Sequence, residues 1–107
     1  MKLRIEDNSL RLRLSEAEVH QFADAGRVAA VLPLGPTATD TLTYALERVE
    51  TEHFRVTYGA GAITVKVPAT LANQWTGTDQ NGLSATLLLT ESQTLNVLIE
   101  KDLDCRH

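Results

Sequence analysis

Thr41-Leu42-Thr43-Tyr44-Ala45-Leu46-Glu47-Arg48 is answered 53 residues later by Thr94-Leu95-Asn96-Val97-Leu98-Ile99-Glu100-Lys101, with identity or chemical kinship at nearly every place. The same offset sets Lys2-Leu3-Arg4-Ile5 on Arg55-Val56-Thr57-Tyr58 and Leu10-Arg11-Leu12-Arg13-Leu14 on Ile63-Thr64-Val65-Lys66-Val67, and it carries Phe22 to Trp75. Three separated segments at one offset, in a chain of 107 residues that is nearly twice that offset, exceed what strand alternation produces by accident. The chain reads as one unit stated twice, residues 1–53 and 54–107, folded together as a single domain.

Within the first unit, Lys2 to Glu6 and Ser9 to Leu14 alternate with period two, and Asp7-Asn8 between them suits a tight turn, so a hairpin is expected. Ser15 then opens a helix with a capping box, Ser15-x-x-Glu18, flanked by Leu14 and Val19 at the staple positions. Val19, Phe22 and Ala23 form its apolar stripe, and Gly26 supplies the residue that tolerates positive φ just after it. Strands follow near Arg27 to Leu32 and Thr41 to Val49, separated by a loop at Pro33-Leu34-Gly35-Pro36-Thr37, where proline has no N–H for a ladder.

The second unit repeats the order. Phe54 to Tyr58 and Ala62 to Val67 flank Gly59-Ala60-Gly61, and Pro68 sits at a first helical turn. Leu71, Ala72 and Trp75 make that helix's buried side up to Gly77, and a loop through Asn81-Gly82 leads to strands Leu83 to Leu89 and Leu95 to Lys101. The expected class is mainly β, a β-rich α+β fold of tandem ββαββ units with two short helices.

Composition narrows the function. Hydrophobic residues at 43% and charged residues at 22% fit one ordinary globular core. The N-terminus alternates charged with apolar residues and so lacks a signal-peptide core, and no segment reaches the ~18 apolar residues of a membrane helix. Cys105 is the single cysteine, which excludes an internal disulfide and fits a reducing, cytoplasmic setting. The formal net charge of −4 runs against strong nucleic-acid affinity, yet residues 1–14 hold Lys2, Arg4, Arg11 and Arg13 against only Glu6 and Asp7.

The run Val65-Lys66-Val67-Pro68-Ala69-Thr70-Leu71, a hairpin ending in V-[RK]-[IV]-P-x-x-L before a short helix and a second hairpin, resembles the swapped-hairpin barrels of the AbrB and MazE superfamily. A weaker echo stands at Asn8-Ser9 and Leu12-Arg13-Leu14-Ser15. Those proteins are usually homodimers of ββαββ chains, and this chain is similar to such a dimer fused into one polypeptide. The resemblance implies one pseudo-two-fold swapped-hairpin-type barrel completed within a monomer, and a DNA-binding regulator or antitoxin-like role. Arg13 and Lys66 match the arginine of the family's V-R-I-P strand, and Arg4 matches a basic residue of the preceding strand. Thr57 stands neutral where the first unit has Arg4, so the two halves are unequal. The opening and the Glu100-Lys101-Asp102-x-x-Cys105 ending also resemble a family of short uncharacterised bacterial proteins, which implies no activity.

From the residues themselves, Lys2, Arg4, Arg11 and Arg13 share one strand face, because Leu10, Leu12 and Leu14 take the other. That face is either a phosphate-binding surface, with Lys66 as its counterpart in the second unit, or a solvated strand face on a domain that binds an unknown protein partner. No catalytic constellation, glycine-rich phosphate cradle or cofactor motif occurs, so an enzyme is not expected. Asp102, Asp104, Cys105 and His107 crowd the C-terminus, but a chain end offers no preorganised geometry and no metal is expected there. His20 and His53 are expected at the surface, and Phe22 and Trp75 are expected to pack at equivalent core sites.

Overall fold

The computed structural model of the chain describes residues 1–102. Its elements run β1 (Lys2–Glu6), β2 (Ser9–Leu14), α1 (Glu16–Ala25), β3 (Arg27–Pro33), β4 (Thr41–Val49), β5 (Arg55–Gly59), β6 (Ala62–Pro68), α2 (Ala69–Gly77), β7 (Gly82–Leu88) and β8 (Thr94–Lys101). Mainly β architecture with two short helices is the result, within one or two residues of the expected strand limits. Pro33 closes β3 as a strand residue rather than opening the loop, which a proline can do at the end of an edge strand whose outer N–H has no partner.

The strands form two four-stranded sheets, ordered β1-β2-β8-β7 and β3-β4-β6-β5. Each sheet takes one hairpin from residues 1–53 and one from residues 54–107, joined by parallel pairing of β2 with β8 and of β4 with β6. The registers repeat. Lys2↔Arg13 and Leu3↔Leu12 become Arg55↔Lys66 and Val56↔Val65 on adding 53, and Ser9↔Asn96 becomes Ala62↔Thr43 by adding 53 to Ser9 and subtracting it from Asn96. Even the turn matches, with Asp7 and Ala60 both at φ 51°. Gly61, at φ 74°, admits no side chain, since a Cβ there would lie 2.9 Å from the Thr41 carbonyl oxygen.

The hairpins β3–β4 and β7–β8 break the offset for a physical reason. Val28↔Leu46 corresponds to Leu83↔Ile99, so β7 lags β3 by 55 residues while β8 lags β4 by 53. The extra chain lies after α2, where residues 78–81 form a loop that α1 lacks, and it is tied down by hydrogen bonds from Trp75 Nε1 to the Asn81 carbonyl at 2.9 Å and from Lys101 Nζ to the Thr78 carbonyl at 2.7 Å.

The sheets face each other across Leu10, Leu12, Leu14, Leu83, Val97 and Ile99 on one side and Val28, Leu46, Val65 and Val67 on the other. Side chains, not strand pairing, bridge the two layers. Among the described residues no strand pairing joins the two sheets, so the barrel expected from the resemblance is not closed by hydrogen bonds. Helix α1 follows β2 and α2 follows β6, the two helices touch, and they deliver Phe22 and Trp75 into the core as an edge-to-face pair with centroids 6.1 Å apart. One expectation fails here: Leu71 is 37% exposed, because a helix this short buries only the Ala72 and Trp75 side.

Candidate functional site

Alternation on β2 puts Leu10, Leu12 and Leu14 in the core and turns Ser9, Arg11 and Arg13 to the outer face. Antiparallel register then lays Lys2 opposite Arg13 and Arg4 opposite Arg11. Four cations thus occupy two neighbouring cross-strand pairs of like charge, an arrangement that is unfavourable unless counter-charges sit nearby. They line, with Leu3, a depression of about 400 Å³. Arg4 and Arg11 also line a larger groove of about 670 Å³ that runs across all four strands of the sheet, past Glu6 and Ser9 to Asn96, Leu98, Ser84 and Thr86.

Two carboxylates offset part of this charge. Lys2 Nζ meets Asp102 Oδ2 at 3.1 Å, while Glu100 Oε1 lies 3.6 Å from Arg11 Nε and 3.7 Å from Arg13 Nε. Arg4 has no carboxylate partner among the described residues and is exposed. The groove therefore carries Arg4 and Arg11 against Glu6 on its β1–β2 side, neutral hydrogen-bonding groups on its β7–β8 side and Leu98 between them.

The interleaving separates the expected site residues. Lys2, Arg4, Arg11 and Arg13 come together on the β1-β2-β8-β7 sheet, whereas Lys66, flanked by buried Val65 and Val67, faces outward from the other sheet. There it belongs to a row Arg55-Lys66-Glu47-Arg27, with Glu47 paired to Arg27 at 3.5 Å. On that sheet's next row Thr57, Thr64, Ala45 and Ala29 replace the bulkier Arg4, Arg11, Leu98 and Ser84. Lys66 and Arg13 are equivalent by register and do not share a surface.

Glu100, Asn96, Ser84 and Thr86 escape a reading of the first hairpin alone, since they join it only through parallel pairing across the chain's two halves. The signal that could have found Glu100 is the repeat itself, which sets it on Glu47. Of the terminal donors, Asp104, Cys105 and His107 lie outside the described residues; among those described, no cluster of three or more His, Cys, Asp or Glu side chains is placed to hold a metal ion. Among the described residues no helix is long and apolar enough to cross a membrane.

The patch is anchored from below by the helix cap. Ser15 Oγ accepts from the Glu18 N–H at 3.2 Å and Glu18 Oε1 accepts from the Ser15 N–H at 2.8 Å, the expected capping box. Glu18 Oε2 in turn receives the terminal ammonium of Met1, which fixes the start of β1 against α1. Burial raises the Glu18 carboxyl, but hydrogen bonds from the Met1 ammonium and from Ser15 outweigh it, and the group is held below its ordinary range. A carboxyl depressed on folding stabilises fully above its unfolded pKa, ~4.3 for glutamate, and loses that contribution as pH falls through the lower folded value. Glu18→Gln is therefore expected to lower stability by about 1 kcal/mol at pH 7 and to flatten the decline below pH ~4. Urea midpoints measured from pH 7 to 3 check this; parallel curves for the two proteins would exclude a stabilising ion pair.

A family model described as Family of unknown function (DUF7009) matches residues 1–107. No curated protein matches the chain, and no solved structure does.

Proposed function

We propose that this chain, which belongs to the family of unknown function DUF7009, is a non-enzymatic, cytoplasmic, single-chain binding module that engages DNA through the outer face of its β1-β2-β8-β7 sheet. The observation that carries the reading is the pair of in-register like-charge contacts, Lys2↔Arg13 and Arg4↔Arg11, beside two depressions that share Arg4 and Arg11. Phosphates bridging such a patch would relieve repulsion that the fold otherwise sustains. The resemblance to fused AbrB and MazE dimers supports it further. Each sheet combines one hairpin from each half, and the pairing registers repeat at 53 residues, as a tandem ββαββ repeat about a pseudo-two-fold axis would have them.

The face is small and partly neutralised, so few phosphates are engaged and affinity is low and steeply salt-dependent. Arg4→Ala with Arg11→Ala is expected to abolish association with a random DNA duplex at ~50 mM salt while leaving the unfolding midpoint within about 0.5 kcal/mol of the parent in stability. Fluorescence anisotropy with labelled duplex reads the first and urea unfolding the second. Absence of any association by the parent protein at that salt would remove the DNA reading.

A second reading, a protein-interaction module that keeps the fold without DNA contact, is favoured by one observation. Ile5 and Tyr58, at equivalent positions on the core-facing side of β1 and β5, are 63% and 75% exposed where the sheets open away from the helices. An uncapped apolar end of this kind is where a partner would dock if DNA does not bind.

A further inference from the structure

We propose that Glu100 is the internal counter-anion of the cationic patch: it holds Arg11 and Arg13 side by side and sets how much phosphate the face can engage. The proposal rests on the reading of that face as a polyanion surface. Glu100 is brought there by the parallel register of β2 with β8, which sets it directly beside Arg13. Its Oε1 stands 3.6 and 3.7 Å from the Nε atoms of Arg11 and Arg13, and its side chain is 20% exposed against 38% for each arginine. The carboxylate lies beneath the guanidinium groups and the contacts run to their inner nitrogens.

Glu100 Oε1 and Arg13 Nε are both buried and have no hydrogen-bond partner, so Oε1 acts on the two arginines through its field. The other sheet shows what directs it. The equivalent glutamate, Glu47, has Arg27 across the β3–β4 pair and binds it at 3.5 Å. In the register place of Arg27, β7 carries Gly82. Deprived of a partner on β7, Glu100 turns to the arginines of β2. An incoming phosphate must then share Arg11 and Arg13 with a fixed carboxylate, and only Arg4 offers its charge undivided.

Removing the Glu100 charge without changing shape should therefore strengthen anion binding at this face and nowhere else. The test is isothermal titration of inorganic pyrophosphate at low salt into the parent protein, Glu100→Gln and Glu47→Gln, with duplex-DNA affinity measured in parallel over a salt series. Glu100→Gln is expected to bind pyrophosphate about 3- to 10-fold tighter than the parent, and the slope of log K for DNA against log salt to steepen by about one unit. Glu47→Gln, the same charge change on the opposite sheet, is expected to match the parent. Glu100→Asp keeps the charge but withdraws it by a methylene and should fall between parent and Glu100→Gln, which provides the reading should the glutamine variant not fold. Equal effects of Glu100→Gln and Glu47→Gln, or no tightening in either Glu100 variant, overturns the proposal. Tighter pyrophosphate with no DNA association by any protein overturns the DNA reading and leaves the role of Glu100 standing.

Discussion

Replacing Trp75 with alanine is expected to cost about 3 to 5 kcal/mol, a large part of the stability of a domain this size. The indole is fully buried, and three separate contacts depend on it. It meets Phe22 edge-to-face across the α1–α2 contact at a centroid distance of 6.1 Å and an interplanar angle of 64°, the geometry that adds to simple burial. Its Nε1–H satisfies the Asn81 carbonyl, and Lys101 Nζ lies 5.6 Å from the ring centroid while bonding the Thr78 carbonyl. The residue thus joins both helices to the loop that displaces β7 from the repeat offset. Trp75→Phe should cost less, about 1 to 2 kcal/mol, because most of the packing survives and one carbonyl is left unpaired. Urea unfolding of the three proteins measures both, and the parent's emission should be blue-shifted and move to that of exposed tryptophan on unfolding. A midpoint for Trp75→Ala equal to the parent's would contradict its place in the core.

What was legible in the sequence is what short-range chemistry decides. The two hairpins of each half follow from period-two alternation, the α1 start from Ser15 and Glu18, and its end from Gly26, which takes φ 76°. The outward direction of Arg11 and Arg13 followed as well, since three leucines claim the other face of β2. Leu71 was misjudged because a stripe of three apolar residues on a nine-residue helix overstates the arc that two sheets can cover. The electrostatics of the patch were not legible from its own hairpin, since Glu100 and Asp102 reach it from almost the far end of the chain. The same distance hid the separation of Arg13 from Lys66: equivalence in a repeat fixes environment, and only the interleaving of hairpins determines which sheet each joins.

That interleaving has the largest expected consequence of all. Cutting the chain in the loop between β4 and β5, residues 50–54, should leave neither half able to fold as a monomer. Fragment 1–53 would retain β1–β2 and β3–β4 as two separate ribbons, with β2 deprived of β8 and β4 deprived of β6. An isolated two-stranded hairpin is marginal in water, and here each would also expose the leucines and valines that the opposite sheet now covers. The loss therefore equals the whole folding free energy, on the order of 5 to 15 kcal/mol. Mixing the two fragments at equal concentration should restore strand circular dichroism and the buried emission of Trp75, with a midpoint that rises with concentration because the core has become an intermolecular interface. Association of unlike halves should be preferred over self-association, since it restores the Phe22–Trp75 pair, where a pairing of like fragments would set two phenylalanines or two tryptophans in one space. Analytical ultracentrifugation with circular dichroism decides the matter: a fragment 1–53 that unfolds cooperatively as a monomer would mean that its two hairpins pack on each other without strands from the second half, and the interleaved topology would have to be abandoned.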